Sequence, residues 1–430
     1  MKKVLIITYY WPPGTGAGVF RWLKFSKYMR RFGWEPVIYT PENPEAPGTD
    51  PSLEADIPEG ITVLKKPIRE PYNMYKMLTG RHREEKIQSG FLNEKNTSGW
   101  TENVAKWIRG NLFIPDARKY WIKPSVRFLS EWLSKNHVDA IVSTGPPHSM
   151  HLIALALKRK TRLPWLADFR DPWTQIDFYD KLMLTRFADR KHRQLENEVI
   201  TVADRLVTVS EHGAKDMEKL SGREVHVITN GFDPDDFQQL PEWGHDSFSI
   251  THMGSMNADR NPLVLWQTLK LLVEADPVFR SKLQLRFIGK TDFTIKESLR
   301  DFELLPFSSF TGYLPHRKAI SEAAKSAILL LPLNNTPNVM GITSGKLFDY
   351  LPMGRPVLCI GPPEGDAGRI IRHTGSGATV DFSDQKSCEA VIRQWFDLFC
   401  RQKLYPDQQQ IHHYQRSYLT QQLVRLLDSF

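Results

Sequence analysis

What most constrains this chain is a rhythm that begins twice. Short apolar runs at 4–10, 35–40, 140–144, 165–169 and 205–210 alternate with longer segments of helical character. A helical stripe through Phe20, Leu23 and Tyr28 follows the first run, and Gly33 stops it. Residues 229–247, rich in Pro, Gly and Asp, read as a linker, after which runs at 248–254, 283–288, 327–331 and 356–360 restart the pattern. Strands of about five apolar residues separated by helices predict parallel βαβ units with both sheet faces covered. The expectation is therefore α/β: two Rossmann-like doubly wound domains. An interdomain cleft would then hold a ligand at the strand carboxyl ends. The predicted divisions are 1–232, 248–403 and a terminal segment 404–430.

Composition narrows the class. At 430 residues, 41% hydrophobic and 25% charged, the chain suits two large globular domains and excludes a disordered or collagen-like polymer. No apolar run approaches the roughly 18 residues of a spanning helix. The start, Met1-Lys2-Lys3 followed by Val4-Leu5-Ile6-Ile7, is too short for a signal-peptide core and reads as a buried first strand. Cys359, Cys388 and Cys400 form no CxxC pair, which points to a reducing, cytoplasmic setting.

Charge is uneven. The first 232 residues carry 36 basic against 27 acidic side chains, the remainder 21 against 22. Basic groupings occur at Lys24, Lys27, Arg30 and Arg31, at Arg118, Lys119, Lys123 and Arg127, and at Lys158, Arg159, Lys160 and Arg162. A one-sided positive field favours anionic partners, although each grouping is equally readable as a solvated helix face. No nucleic-acid recognition motif accompanies the charge, so nucleic acid is not an expected partner. Two stretches break the rhythm. Residues 79–99 are polar and read as a loop. Residues 100–133 are dense in Trp, Phe, Lys and Arg, and suit either core helices or an amphipathic surface resting on an anionic membrane.

Three turns carry chemistry. The first strand runs into Pro12-Pro13-Gly14-Thr15-Gly16-Ala17-Gly18, where glycines would let backbone N–H groups approach a phosphate. It is neither a Walker loop nor a clean GxGxxG. The strand at 248–254 ends in Gly254-Ser255, with Arg260 a few residues on. Thr343-Ser344-Gly345-Lys346 then opens a helix suited to a diphosphate. Asp349 lies one turn beyond Lys346, placed to accept ribose hydroxyls.

Together with Thr229-Asn230-Gly231-Phe232-Asp233, Phe310-Thr311-Gly312-Tyr313-Leu314-Pro315 and residues 345–357, these segments resemble the group 1, family-4-like glycosyltransferases of the GT-B fold. The resemblance implies a retaining transferase that moves a sugar from a nucleotide-sugar, with UDP- or GDP-type donors expected and no metal-binding DxD motif required. It assigns donor to the C-terminal domain and acceptor to the N-terminal one, and implies that the helix at 410–427 crosses back to brace onto the N-terminal domain. Carried over, Gly16, Gly18 and Gly254 face the donor diphosphate, and Tyr313 and Leu314 sit at the turn that reads the base. Thr343, Ser344, Gly345 and Asp349 complete the donor set. Arg260 stands where the family has a phosphate-binding Lys. Ser255 replaces the family's Arg, a lost charge that Lys346 would restore. Of the family's paired glutamates, one position is Gly341 and the other the shorter Asp349.

In the N-terminal half, Ser143-Thr144-Gly145-Pro146-Pro147-His148 and Ala167-Asp168-Phe169-Arg170-Asp171 end two strands and resemble stretches of bacterial polysaccharide and O-antigen-type transferases. Thr144 occupies the place of a catalytic His, leaving His148 as its candidate replacement beside the catalytic candidates Arg260 and Lys346. Asp168, Arg170 and Asp171 are candidate acceptor ligands, unless the acids simply pair with Arg170. The expected acceptor is a glycan or polyprenyl-diphosphate-linked sugar at the inner face of the plasma membrane. Two other readings stay open: a GT-B nucleotide-sugar epimerase, and a nucleotide-sugar-binding protein without turnover.

Overall fold

The computed structural model describes residues 1–45, 48–68, 99–176, 179, 182–244 and 246–430. The chain divides into two units, Met1–Thr229 with Arg416–Phe430, and Asn230–Gln415. The division thus falls slightly ahead of 232, and residues 404–415 stay with the second unit. Where the chain leaves and returns, it pairs with itself: Phe232 N–H donates to the Tyr414 carbonyl, and Phe232 bridges Gln415.

The first unit is a seven-stranded parallel sheet, β1 (Lys2–Ile7), β2 (Trp34–Pro41), β3 (Thr62–Lys66), β4 (Ala140–Gly145), β5 (Trp165–Phe169), β6 (Arg205–Thr208) and β7 (His226–Val227), in the order β3-β2-β1-β4-β5-β6-β7. The second has β8 (Phe248–Met253), β9 (Leu283–Ile288), β10 (Ser308–Gly312), β11 (Ile328–Pro332), β12 (Val357–Ile360) and β13 (Gly377–Val380), in the order β10-β9-β8-β11-β12-β13. Both are doubly wound, and the order reverses between β1 and β4 and again between β8 and β11. Ligands of such sheets bind outside the strand carboxyl ends at that reversal.

The continuous apolar runs follow from two-sided burial. Along β1, Leu5 and Ile7 enter one core cluster while Val4 and Ile6 enter the other. Ile328 and Leu330 of β11 face one cluster, Leu329 and Leu331 the opposite one. Successive side chains alternate faces, so a strand covered on both must be apolar throughout.

The terminal helix Arg416–Asp428 places Leu419, Leu423, Val424 and Leu427 against Trp22, Leu23 and Phe25 of the helix Ala17–Met29. Lys2 and Trp34 Nε1 tie its end through Asp428, at 2.8 and 3.1 Å.

The aromatic stretch is in part core. The helix Lys119–Leu133 buries Trp121, Val126 and Leu129, and Trp121 stacks on Tyr39 with centroids 4.8 Å apart. Trp107, Leu112 and Tyr120 remain exposed. The expected loop at 79–98 lies outside the described residues, and Gly99 opens the helix Gly99–Leu112.

Candidate functional site

In the second unit the turn after β8 bends at Gly254, whose φ of 97° suits glycine. A Cβ there would strike Cε of Lys346 at 2.6 Å, so the lysine lies directly across the turn. Lys346 opens the helix Gly345–Tyr350 and has no hydrogen-bond or ion-pair partner among the described residues. Burial, with the Arg260 charge beside it, pulls its ammonium down to about 7, against the opposing pull of Asp349. Arg260 is held in place: Nε donates to Asn334 Oδ1 at 2.8 Å and a terminal nitrogen donates to the Ser255 carbonyl at 3.1 Å.

Two more polar atoms are buried there without partners, Asn257 Oδ1 and Thr343 Oγ1. Beneath the turn, His252 Nδ1 donates to the Leu330 carbonyl, and burial with the Lys346 charge lowers its pKa to about 3. The histidine is therefore a neutral floor. A buried ammonium without a partner of its own, beside a second cation and orphaned polar atoms, forms a site that an anion with hydroxyls would complete.

Sequence reasoning located Gly254, Ser255, Arg260, Thr343, Ser344, Gly345, Lys346 and Asp349, and the fold brings these around β8 and β11. It missed Asn257, Asn334 and His316. His316 Nε2 lies 3.4 Å from Asp349 Oδ1, a contact across 33 positions that no local motif announces. Tyr313, 76% exposed, follows β10 with Leu314 and offers a free aromatic face. The helix at Lys346 has only six residues, so its dipole is small and the side-chain cations dominate.

In the first unit, Asp168 is not available to an acceptor and does not pair with Arg170. Its fully buried carboxylate receives Arg21 Nε and Nη2 at 3.1 and 2.8 Å, Trp22 Nε1 at 2.8 Å and Thr144 Oγ1 at 2.8 Å. Burial pushes its pKa up, but Arg21 and these hydrogen bonds outweigh burial and hold the carboxyl below the usual range. Arg21 also donates to the Thr229 carbonyl at the boundary of the unit.

Asp171 is exposed. Arg170 lies over the Tyr10 ring and donates to the Pro146 carbonyl. Gly18 is demanded by packing, because a Cβ there would strike Arg170 and Tyr10. Gly16 is exposed with φ 115°.

His148 precedes the helix Ser149–Thr161 and stacks flat on Trp173, centroids 4.5 Å apart. Burial, then the charges of His151, Arg170 and His192, push its pKa well below 6.5, so the ring is neutral. Its Nδ1 has no hydrogen-bond partner.

Of the basic groupings, the first is largely neutralised within the fold: Lys24 and Lys27 reach Asp56, and Arg30 forks onto Glu35. Lys158 and Arg159 meet Asp204 and Glu198. Lys119, Lys123 and Arg127 pair with no carboxylate among the described residues. Also among the described residues, no three His, Cys, Asp or Glu side chains converge to hold a metal, and no helix is long and apolar enough to cross a membrane.

Two doubly wound units with their reversal points so furnished define the GT-B architecture. Residues 93–236 match the model of Glycosyltransferase Family 4. Similar solved structures include a sucrose-phosphate synthase from Thermosynechococcus elongatus (TM-score 0.63, 10% identity, 100% of this chain and 99% of that one). Another is WaaG, a glycosyltransferase involved in lipopolysaccharide biosynthesis (0.56, 12%, 99% and 100%). A third is a UDP-forming α,α-trehalose-phosphate synthase from Burkholderia xenovorans in complex with glucose-6-phosphate (0.61, 10%, 100% and 100%). Identity at this level speaks for the fold alone. No curated protein matches the chain in sequence. About a third of the chain thus matches the Glycosyltransferase Family 4 model, and the whole chain shares the GT-B fold of these structures.

Proposed function

We propose that the chain is a retaining, metal-independent hexosyltransferase that moves a sugar from a UDP- or GDP-type donor to a glycan or polyprenyl-diphosphate-linked acceptor in surface polysaccharide synthesis. The observation that carries this reading is the second-unit site, where Lys346 is buried across the Gly254 turn, beside the Arg260 charge, with no hydrogen-bond or ion-pair partner of its own among the described residues. A nucleoside diphosphate supplies the missing negative charge, and its ribose suits Asp349. As the glycosidic bond breaks, charge grows on the departing diphosphate, and the two cations stabilise it where it develops. Tyr313 offers its face to the base. In the retaining scheme the leaving phosphate helps to deprotonate the acceptor on the same face. His148, neutral and with Nδ1 unpartnered, is the first-unit candidate to orient the acceptor hydroxyl whose proton the phosphate takes.

A thermal-shift panel of UDP, GDP, ADP, CMP and dTDP, with and without EDTA, tests this. A ligand at about 100 times its Kd stabilises by about 2.7 kcal/mol. One nucleotide raising the melt equally in EDTA is expected; no shift with any of them overturns the donor site. Product analysis with the donor so identified separates transfer from epimerisation and from binding without turnover.

The protein is further read as cytoplasmic and peripheral on the inner face of the membrane. Supporting this, Trp107, Leu112, Met183 and Phe187 are exposed on two segments that Asn111 ties together, through Met183 O at 3.1 Å and Thr185 N at 2.7 Å. The unpaired Lys119, Lys123 and Arg127 follow in the next helix. Reversing these three to Glu is expected to abolish binding to anionic liposomes, and unchanged binding sinks the membrane reading.

A further inference from the structure

The first unit holds a second set of cations that the donor reading does not use. Tyr9 and Tyr10, at the carboxyl end of β1, meet edge to face with centroids 5.0 Å apart. One guanidinium lies on each: Arg118 is 4.5 Å from the Tyr9 centroid and donates to the Tyr9 hydroxyl, and Arg170 is 5.4 Å from the Tyr10 centroid. The four side chains form a ladder of cation, ring, ring and cation at the point where the strand order reverses.

Arg170 comes from the end of β5. Its backbone N–H donates to the Gly145 carbonyl and its guanidinium to the Pro146 carbonyl, which aims it across the end of β4. Its Nε is buried without a partner, and no carboxylate pairs with it among the described residues. Two acids close to Arg170 are committed to other donors. Asp168 is saturated by Arg21, Trp22 and Thr144, while Asp116 accepts Arg118 N–H, Ser149 N–H and the Ser149 hydroxyl, each at 2.8 Å. Exposed Asp171 is the other acid close in sequence. Beside Arg170 stands His148, 8% exposed, with its Nδ1 unpartnered.

A buried guanidinium nitrogen left without an acceptor is a standing cost to the fold that an anion would relieve. A fold that satisfies Asp168 four times over yet leaves Arg170 open points to a ligand. A planar fork beside an aromatic face matches phosphate with an attached sugar or isoprene unit.

We propose that Arg170 and Arg118, braced on Tyr10 and Tyr9, form a phosphate subsite in the first unit, so that the acceptor is a phosphate ester. This rests on the acceptor half of the proposed function and deepens it, because it names the group by which the acceptor is recognised. The phosphate belongs either to a lipid-linked diphosphate or to a water-soluble sugar phosphate.

The test uses the full chain carrying Lys346→Ala, which removes the second-unit cation. Binding of inorganic pyrophosphate and of farnesyl diphosphate is measured by calorimetry. One site for pyrophosphate is expected to persist, and adding Arg170→Gln is expected to weaken it about tenfold or more, the loss of one charge-assisted fork. Arg170→Lys, which keeps the charge without the fork and preserves the fold if the glutamine variant melts early, is expected to fall between.

Tighter binding of farnesyl diphosphate supports a lipid-linked acceptor, and equal binding supports a soluble one. Pyrophosphate binding lost with Lys346→Ala alone, or insensitive to both Arg170 variants, overturns the subsite. If nucleotides fail to bind the parent protein while the Arg170-dependent site persists, the donor reading fails and the subsite stands.

Discussion

The two units share a strand order and treat polar groups at its reversal in opposite ways. In the first, Asp168 and Arg21 close on each other at zero exposure and recruit Trp22 and Thr144. In the second, Lys346, Asn257 Oδ1 and Thr343 Oγ1 are left without protein partners beside Arg260. A satisfied buried ion pair defines how helices and strands dock and is costly only when broken. An unsatisfied set costs stability all the time and repays it on meeting a ligand. Sequence motifs present both as charged residues after a strand, but the Asp168 set is closed on itself while the Lys346 set is left for a ligand to complete.

The sharpest way to break this contrast is Asp168→Ala. It strands a buried Arg21, so the first unit is expected to lose about 3–5 kcal/mol in a denaturant titration. Nucleotide binding by protein that remains folded stays as in the parent. Normal stability would show that the network is not what holds helix Ala17–Met29 to the sheet.

Lys346→Met should do the reverse. Nucleotide affinity is expected to drop about 10–100-fold, the worth of a charged hydrogen bond, while the melting temperature holds or rises. The same residue predicts a pH profile. Its ammonium, lowered to about 7 in the free protein, is restored by a bound diphosphate, so binding takes up a proton. Affinity should therefore weaken by up to about tenfold per pH unit as pH rises above 7, and the slope should vanish in the methionine variant.

Acid separates the units next. His151 in the first and His252 in the second both have pKa values lowered to about 3 by burial. Their unfolded forms bind protons near 6.5 while the folded forms do not. Stability is thus complete above 6.5 and is lost as pH falls towards 3, at about 1.4 kcal/mol per unit for each. His148 and His192, also lowered by burial, add to the loss in the first unit only. Two-probe melting between pH 7 and 5 should show the first unit weakening faster, and parallel loss would contradict it. The smallest effect is Tyr313→Ala, expected to cost nucleotide binding about 1 kcal/mol through a lost stacking face.

Much of the architecture is legible in the amino-acid order, and the misses are systematic. The strands that no apolar run announces are β3, β7, β10 and β13, and these are the four sheet edges. None of them is buried throughout; β13 alone ends on a buried residue. An edge strand covers less of the core, so its residues need not be apolar and its periodicity fades.

The donor-type residues were readable for a related reason. Gly254 and Arg260 follow β8 within a few residues, and Lys346 and Asp349 share the helix Gly345–Tyr350, so local spacing sets each pair. Asn257 and Asn334 entered only through packing. So did His316, at the start of the helix after β10, which meets Asp349 in the helix Gly345–Tyr350 although two strands separate β10 from β11.

Sequence alone determined the two doubly wound sheets, the glycine turns and the cations close to them in sequence, because each depends on periodicity or on neighbours a few residues apart. Tertiary structure decided which charges are free. Asp168 and Arg170 stand two residues apart on the chain, yet one is consumed by Arg21, 147 positions away, and the other is left open above Tyr10. Charge pairing depends on distance in space and on desolvation, and a strand's linear order carries neither.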